Sequence, residues 1–220
     1  DTISEGNHWH QRLGNKLHIK SADRIIRNNL LFEEGDEVDP LLLADNERIL
    51  RNLPYIKDAK LRVICLSSAC DTVEIVVVTQ DVWSKGLNVE VDDIEFEEGT
   101  FEIYDNNIFG TGHQIKYNLL FDRNESKSTG YNANYRVNNI EGSFINADVR
   151  LYDAFRRDAY QIQLWRNYVT PATRYAGGIG IRNEKEKSQD TSINTVEFNT
   201  QDIWLSRSFN LSSKKTLNPN

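Results

Sequence analysis

The residue pairs best suited to chemistry in this chain are few, and each has a plain structural alternative. Cys65 and Cys70 flank four residues in RVICLSSACDTVEI, between two runs rich in β-formers. A hairpin there brings the two thiols within bridging distance, and such a bridge persists only in an oxidising compartment such as a periplasm. Two small, partly buried thiols at a turn are the other reading. A zinc site would need a second Cys or His pair, and none accompanies them. His8 and His10 form an HWH spacing that can hold a metal, yet only His18 is nearby, so a solvated segment is the simpler reading. The acidic run EVDDIEFEEG lacks the Gly-centred spacing of a calcium loop and reads as exposed surface. Asp148, Arg150 and Arg136 fall on one strand face but bring no nucleophile with a placed base. No catalytic set, metal or cofactor is therefore expected, and the chain is read as a non-enzyme.

The elements that would position these residues change character along the chain. Its 220 residues suffice for one large or two ordinary domains with a core. A formal charge of -7, with no cluster of Lys and Arg interleaved with aromatics, argues against a nucleic-acid partner. No apolar run reaches the roughly 18–20 residues of a membrane helix. That leaves a β-barrel open, because a barrel strand shows lipid only every second residue and hydropathy averages miss it. No secretory signal is seen, and the absence of Met predicts a processed protein or a fragment of a longer one.

Residues 20–54 carry helical signals. Ser21 is placed to cap a first helix with Ile25, Ile26, Asn29 and Leu30 at helical spacing, stopping at Gly35. Asp39 caps a second helix with Pro40 at its first position and Leu42, Leu43, Ile49, Leu50 and Leu53 as its buried face. The runs KDAKLRVIC and DTVEIVVVTQDVW follow as strands, so both helices must pack on one face of a small sheet.

From Gly86 onward the period is two. In HQIKYNLLFD, residues Ile115, Tyr117, Leu119 and Phe121 share one face, opposite Gln114, Lys116 and Asn118. In SFINADVRLYD, Ile145, Ala147, Val149 and Leu151 oppose Asn146, Asp148, Arg150 and Tyr152. About eight such strands are expected between Leu87 and Leu205. A soluble sandwich would turn the apolar faces inward, and a membrane barrel would turn them outward. Three features favour the barrel. Strand lengths suit a tilted crossing, aromatics near strand ends (Tyr104, Tyr117, Tyr152, Phe155, Tyr168, Trp204) suit interfacial girdles, and short turns alternate with longer polar loops. Ile115, Tyr117, Leu119, Phe121, Val149 and Leu151 then face lipid, while Lys116, Arg136, Asp148 and Arg150 face a wet lumen. Gly110 and Gly112 in FGTG permit a tight turn, as they would in any hairpin.

These residues resemble a known family. The run IIRNNLLFEEGDEVDPLLLADNERILRNLPYIKDAKLRV is similar to a POTRA domain, the periplasmic module preceding the barrel in the BamA/TamA superfamily of outer-membrane assembly and translocation proteins. VVVTQDVWS resembles the junction between the last POTRA strand and the barrel, FEIYDNNIFGTGHQIKYNLLF its second and third strands, and PATRYAGGIGI and NTQDIWLSRSF strands further round the wall.

The resemblance implies an α+β POTRA-like periplasmic domain over residues 1–83. Residues 84–220 would then be the N-terminal half of an outer-membrane β-barrel of antiparallel strands, in a Gram-negative bacterium. It implies a gate strand from Gly86 to Ile94, with Gly86, Leu87, Asn88, Val89, Glu90 and Val91 open to a client strand by β-augmentation, although a plain wall strand would read the same. It also implies a receptive POTRA edge at Val73, Ile75 and Val77, which equally suit a buried strand. Gly110 and Gly112 become a periplasmic turn. The partners implied are outer-membrane lipid, unfolded client proteins, and periplasmic accessory proteins or chaperones.

The chain departs from the family pattern in having no convincing strand before the first helix, about half the expected strands, and no Arg-Gly-Phe-like loop. Both ends are thus expected to be incomplete, and half of a larger wall replaces a closed eight-strand barrel. The residues alone leave two other readings open: a barrel-embedded protease or lipid hydrolase, and a soluble periplasmic binding module.

Overall fold

The computed structural model describes residues 19–91, 97–187 and 195–209. Helix α1 (Asp23–Arg27) is shorter than the sequence pattern predicts, and its N-cap is Ala22, without a side-chain cap. Ser21 is drawn elsewhere, because its hydroxyl donates to the Asp81 carboxylate. The helix ends where Asn29 turns its amide back onto the Ile25 carbonyl at 2.8 Å, well before Gly35, which takes a left-handed φ of +95° in a later turn. Helix α2 (Pro40–Arg51) begins as expected, with Asp39 accepting from the Leu41 N–H at 2.8 Å and Pro40 in the first turn.

Strands β1 (Ile56–Cys65) and β2 (Val73–Asp81) pair antiparallel. Ile26, Leu50, Leu53, Tyr55, Ile56 and Ala59 form the buried cluster beneath the helices, with Ile25, Leu30, Leu61 and Val77 packed around it. Asn46, fully buried, accepts from the Leu31 N–H and donates to the Leu42 carbonyl, both at 2.8 Å, so the segment between the helices is pinned to α2. Glu47 does the same for β1 by accepting from the Leu61 N–H at 2.8 Å.

The chain then forms β3 (Lys85–Val91), β4 (Glu98–Asp105), β5 (His113–Asp122), β6 (Thr129–Val137), β7 (Asn146–Ala154), β8 (Arg157–Arg166), β9 (Tyr175–Glu186) and β10 (Val196–Arg207). These make one antiparallel sheet in strict sequence order, open between β3 and β10. Strand β7 starts two residues later than its alternation suggests, because Phe144 adopts φ +58° inside the preceding turn.

Cross-strand register carries the two-residue period from strand to strand. Ile115, Tyr135, Val149, Ile162 and Ile181 form one row, and Gln114, Arg136, Asp148, Gln163 and Gly180 a row on the opposite face. The sheet has almost no core of its own, since Ala154 and Ala176 are its only buried hydrophobic residues among those described. Large side chains on the apolar face are instead open: Ile115 is 45%, Leu119 43%, Leu151 45% and Ile179 53% exposed. A sandwich would have covered them with a second sheet.

The expected aromatic girdle is only partly placed on that apolar face. Tyr104, Tyr152 and Trp204 pair with Lys116, Asn132 and Gly178 and therefore lie on the polar face. There Tyr104 and Trp204 cover glycines: a Cβ on Gly86 would meet the Tyr104 ring at 2.3 Å, and one on Gly178 the Trp204 indole at 2.5 Å.

Candidate functional site

The three turns at one end of the sheet meet the helical unit. In the β4–β5 turn, Asn107 is buried and its Oδ1 accepts from the Gly112 N–H at 2.8 Å, while its Nδ2 donates to Ser21 Oγ at 2.9 Å. In the β6–β7 turn, Asn139 Oδ1 accepts from the Phe144 N–H at 2.6 Å and its Nδ2 donates to the Asn28 carbonyl and Asn29 Oδ1. Arg24 adds a two-pronged bond to Glu141 at 2.9 Å, and Arg48 reaches the Val169 carbonyl in the β8–β9 turn at 2.9 Å.

Gly110 and Gly112 sit in this junction with φ +75° and +73°, so both use the left-handed region that glycine tolerates. Both also face the helical unit closely. A Cβ on Gly110 would lie 2.3 Å from the Lys20 carbonyl oxygen, and one on Gly112 2.9 Å from the Tyr55 hydroxyl. Burial, reinforced by the Asp81 carboxylate, pushes the Tyr55 phenol well above its ordinary range.

The polar face brings several charges together. Asp148, 2% exposed, accepts from Arg136 Nε at 3.0 Å and Asn134 Nδ2 at 2.9 Å. Arg136 also lies over the Trp165 ring, 5.7 Å from its centroid. Lys116 pairs with Glu102 at 3.0 Å. Arg150 shares the face but stays exposed, opposite Asn134 and Gln161 in register. Both donors converge on one oxygen, Asp148 Oδ2, and the Arg136 guanidinium balances the buried carboxylate charge.

Ile115, Tyr117, Leu119, Phe121, Val149 and Leu151 lie together on the other face, with Phe121 and Val149 half-buried. The Phe121 ring lies over Gly99, its opposite number on β4.

Among the described residues, β3 pairs only with β4, so one edge of Gly86, Leu87, Asn88, Val89, Glu90 and Val91 has no strand beside it. Leu87 and Val89 are prominently exposed. The rest of the expected gate strand, through Ile94, lies outside the described residues, as do His8, His10 and His18. Among the described residues, strand β2, with Val73, Ile75 and Val77 half-buried, pairs only with β1. At the tip of that ribbon Cys65 and Cys70 form a disulfide with Cα atoms 4.9 Å apart.

Sequence reasoning missed both the chain Asn107–Ser21–Asp81 and the hold of Asn139 on Asn28 and Asn29. The available signal was the recurrence of Asn-Asn-Ile-X-Gly at residues 106–110 and 138–142.

No protein-family model matches the chain, and no curated protein does. Among solved structures, the chain is similar to BamA from Haemophilus ducreyi lacking POTRA domains 1–3, with 15% identity and a TM-score of 0.49. The match covers 84% of this chain, which spans 41% of that one.

Proposed function

We propose that this chain belongs to an outer-membrane β-barrel protein that inserts or exports client proteins, with its helical unit acting as a POTRA-like periplasmic domain. The observation that carries the reading is the open apolar face of an eight-strand antiparallel meander whose opposite face is amide- and charge-rich. Acyl chains are the solvent that makes such a face favourable, because it has no core of its own to bury against. The motifs resembling the BamA/TamA superfamily supply the rest.

On this reading the rim carrying residues 106–112, 138–145 and 167–174 is periplasmic, because the helical unit sits there. Strand β3 would lend its free edge to an incoming client strand, main-chain groups giving affinity whatever the client's sequence. The free edge of β2 would receive an extended client segment or an accessory protein in the same way. The partners are outer-membrane lipid, unfolded clients and periplasmic chaperones, and the role is assembly rather than catalysis.

Depletion of the protein in its native Gram-negative host tests this, with folded barrels counted in the outer-membrane fraction. The reading expects other barrels to decline together while the inner membrane is unchanged. An unaltered set of folded barrels and secreted proteins would refute it.

A further inference from the structure

The two turns that meet α1 are the same device built twice. In each, an Asn side-chain oxygen accepts the N–H five residues on, Gly112 for Asn107 and Phe144 for Asn139. In each, the residue after Ile takes a left-handed conformation, Phe109 at φ +50° and Glu141 at φ +48°, followed by a glycine at φ +75° or +80°. In each, the next residue bonds back to the Ile carbonyl through backbone and hydroxyl alike: Thr111 to Ile108, and Ser143 to Ile140.

What remains in each turn is the Asn amide, and both amides point at α1. Asn107 holds Ser21, just before the helix, and Asn139 holds Asn28 and Asn29, just after it. The two turns are two inter-strand steps apart, about 10 Å, while the five-residue helix rises about 7.5 Å, so the two amides reach the residues just beyond its ends. The glycines complete the fit, since Gly110 faces the Lys20 carbonyl and Gly142 the Asn28 carbonyl without a Cβ between. The third turn on this rim has neither the sequence nor the geometry and meets α2 through Arg48 instead.

We propose that the two Asn-Asn-Ile-X-Gly-Thr/Ser turns are paired halves of one docking site for α1. Asn107 and Asn139 are its positioning residues, the oxygen of each closing its turn and the NH2 of each holding one end of the helix. The inference is independent of whether the sheet lies in a membrane. From Ser21 the hold passes to Asp81 at the end of β2, so one chain of hydrogen bonds ties the rim to the ribbon as well as to the helix.

Replacing Asn by Asp separates the two roles, because the acceptor oxygen stays and the donor goes. Hydrogen exchange on the full-length protein reads both. In Asn107→Asp, the Ala22 N–H, which donates to the Gly110 carbonyl at 2.9 Å, is expected to exchange on the order of tenfold faster, the ratio that one neutral hydrogen bond supports. In Asn139→Asp, the Leu30 N–H at the other helix end is expected to change similarly. The Gly112 and Phe144 amides stay protected within about twofold, since their acceptors are kept.

Unchanged exchange at Ala22 and Leu30 overturns the proposal. Acceleration there only when Gly112 and Phe144 also lose protection overturns it too, because the asparagines then act solely as turn closers. Ser21→Ala removes the acceptor from the helix side and leaves both turns intact. It is expected to free Ala22 as Asn107→Asp does, and protection retained in that variant also refutes the docking role.

Discussion

Leu119→Arg and Asn118→Arg put one charged side chain at adjacent positions of β5, on opposite faces of the sheet. Leu119 is 43% exposed, so arginine has room there and its cost depends on the medium it meets. Facing acyl chains near the bilayer midplane, arginine costs about 2–4 kcal/mol; on a water-exposed surface the change stays within about 0.5 kcal/mol. At Asn118 the register sets the new guanidinium between Glu102 and Asn132, beside a carboxylate already paired with Lys116. A further partly exposed ion pair there shifts stability by no more than about 1 kcal/mol. The two variants are therefore expected to differ by about 3 kcal/mol, or roughly a hundredfold in the unfolding equilibrium constant. Reversible guanidinium unfolding in phospholipid vesicles, followed by tryptophan fluorescence, measures the difference. Equal stability of the two proteins, or a larger loss for Asn118→Arg, would refute the assignment of the apolar face to lipid.

Asp148→Ala is expected to cost about 2 kcal/mol, below the range for a fully buried pair because Arg136 is 38% exposed and can rehydrate. A double-mutant cycle with Arg136→Ala checks it, and additive losses would contradict the pairing. Tyr55 gives a pH signature. The unfolded chain releases that phenolic proton near pH 10 while the buried phenol keeps it, so the unfolded state binds fewer protons and stability falls as pH rises past about 10. Tyr55→Phe should flatten that slope, and an unaltered slope would speak against the burial effect. Gly110→Ala combines left-handed strain with a clash against the Lys20 carbonyl oxygen at 2.3 Å, for an expected loss of more than about 2 kcal/mol. Gly142→Ala, with its nearest contact at 3.4 Å, should cost only about 1 kcal/mol. Thermal unfolding that ranks the two glycines in reverse would contradict the close approach.

The eight strands and their two faces were legible because a period of two needs only the sequence, and register then propagates it across neighbours. The second helix was legible for a similar reason, since Asp39 and Pro40 act within one turn of it. Ser21 misled because its oxygen has a competing partner sixty residues away in Asp81, and no local pattern announces such a bond. Tyr104, Tyr152 and Trp204 were assigned by closeness to strand ends when parity with Ile103, Leu151 and Ile203 already put them on the other face. The short turns that hold Asn107 and Asn139 were legible, but the role of the two asparagines was not, because it depends on partners more than eighty residues distant in sequence.

The Cys65–Cys70 bridge has a consequence in time as well as in space. It closes a short loop at the exposed end of the β1–β2 ribbon, away from the cluster formed by Leu50 and Tyr55. Glutathione-rich cytosol keeps such thiols reduced, so a lasting bridge here calls for an oxidising compartment. On the proposed outer-membrane reading the ribbon tip would serve as a maturation mark, loose in newly made chains and locked in exported ones. Counting free thiols in pulse-labelled protein would follow that passage directly.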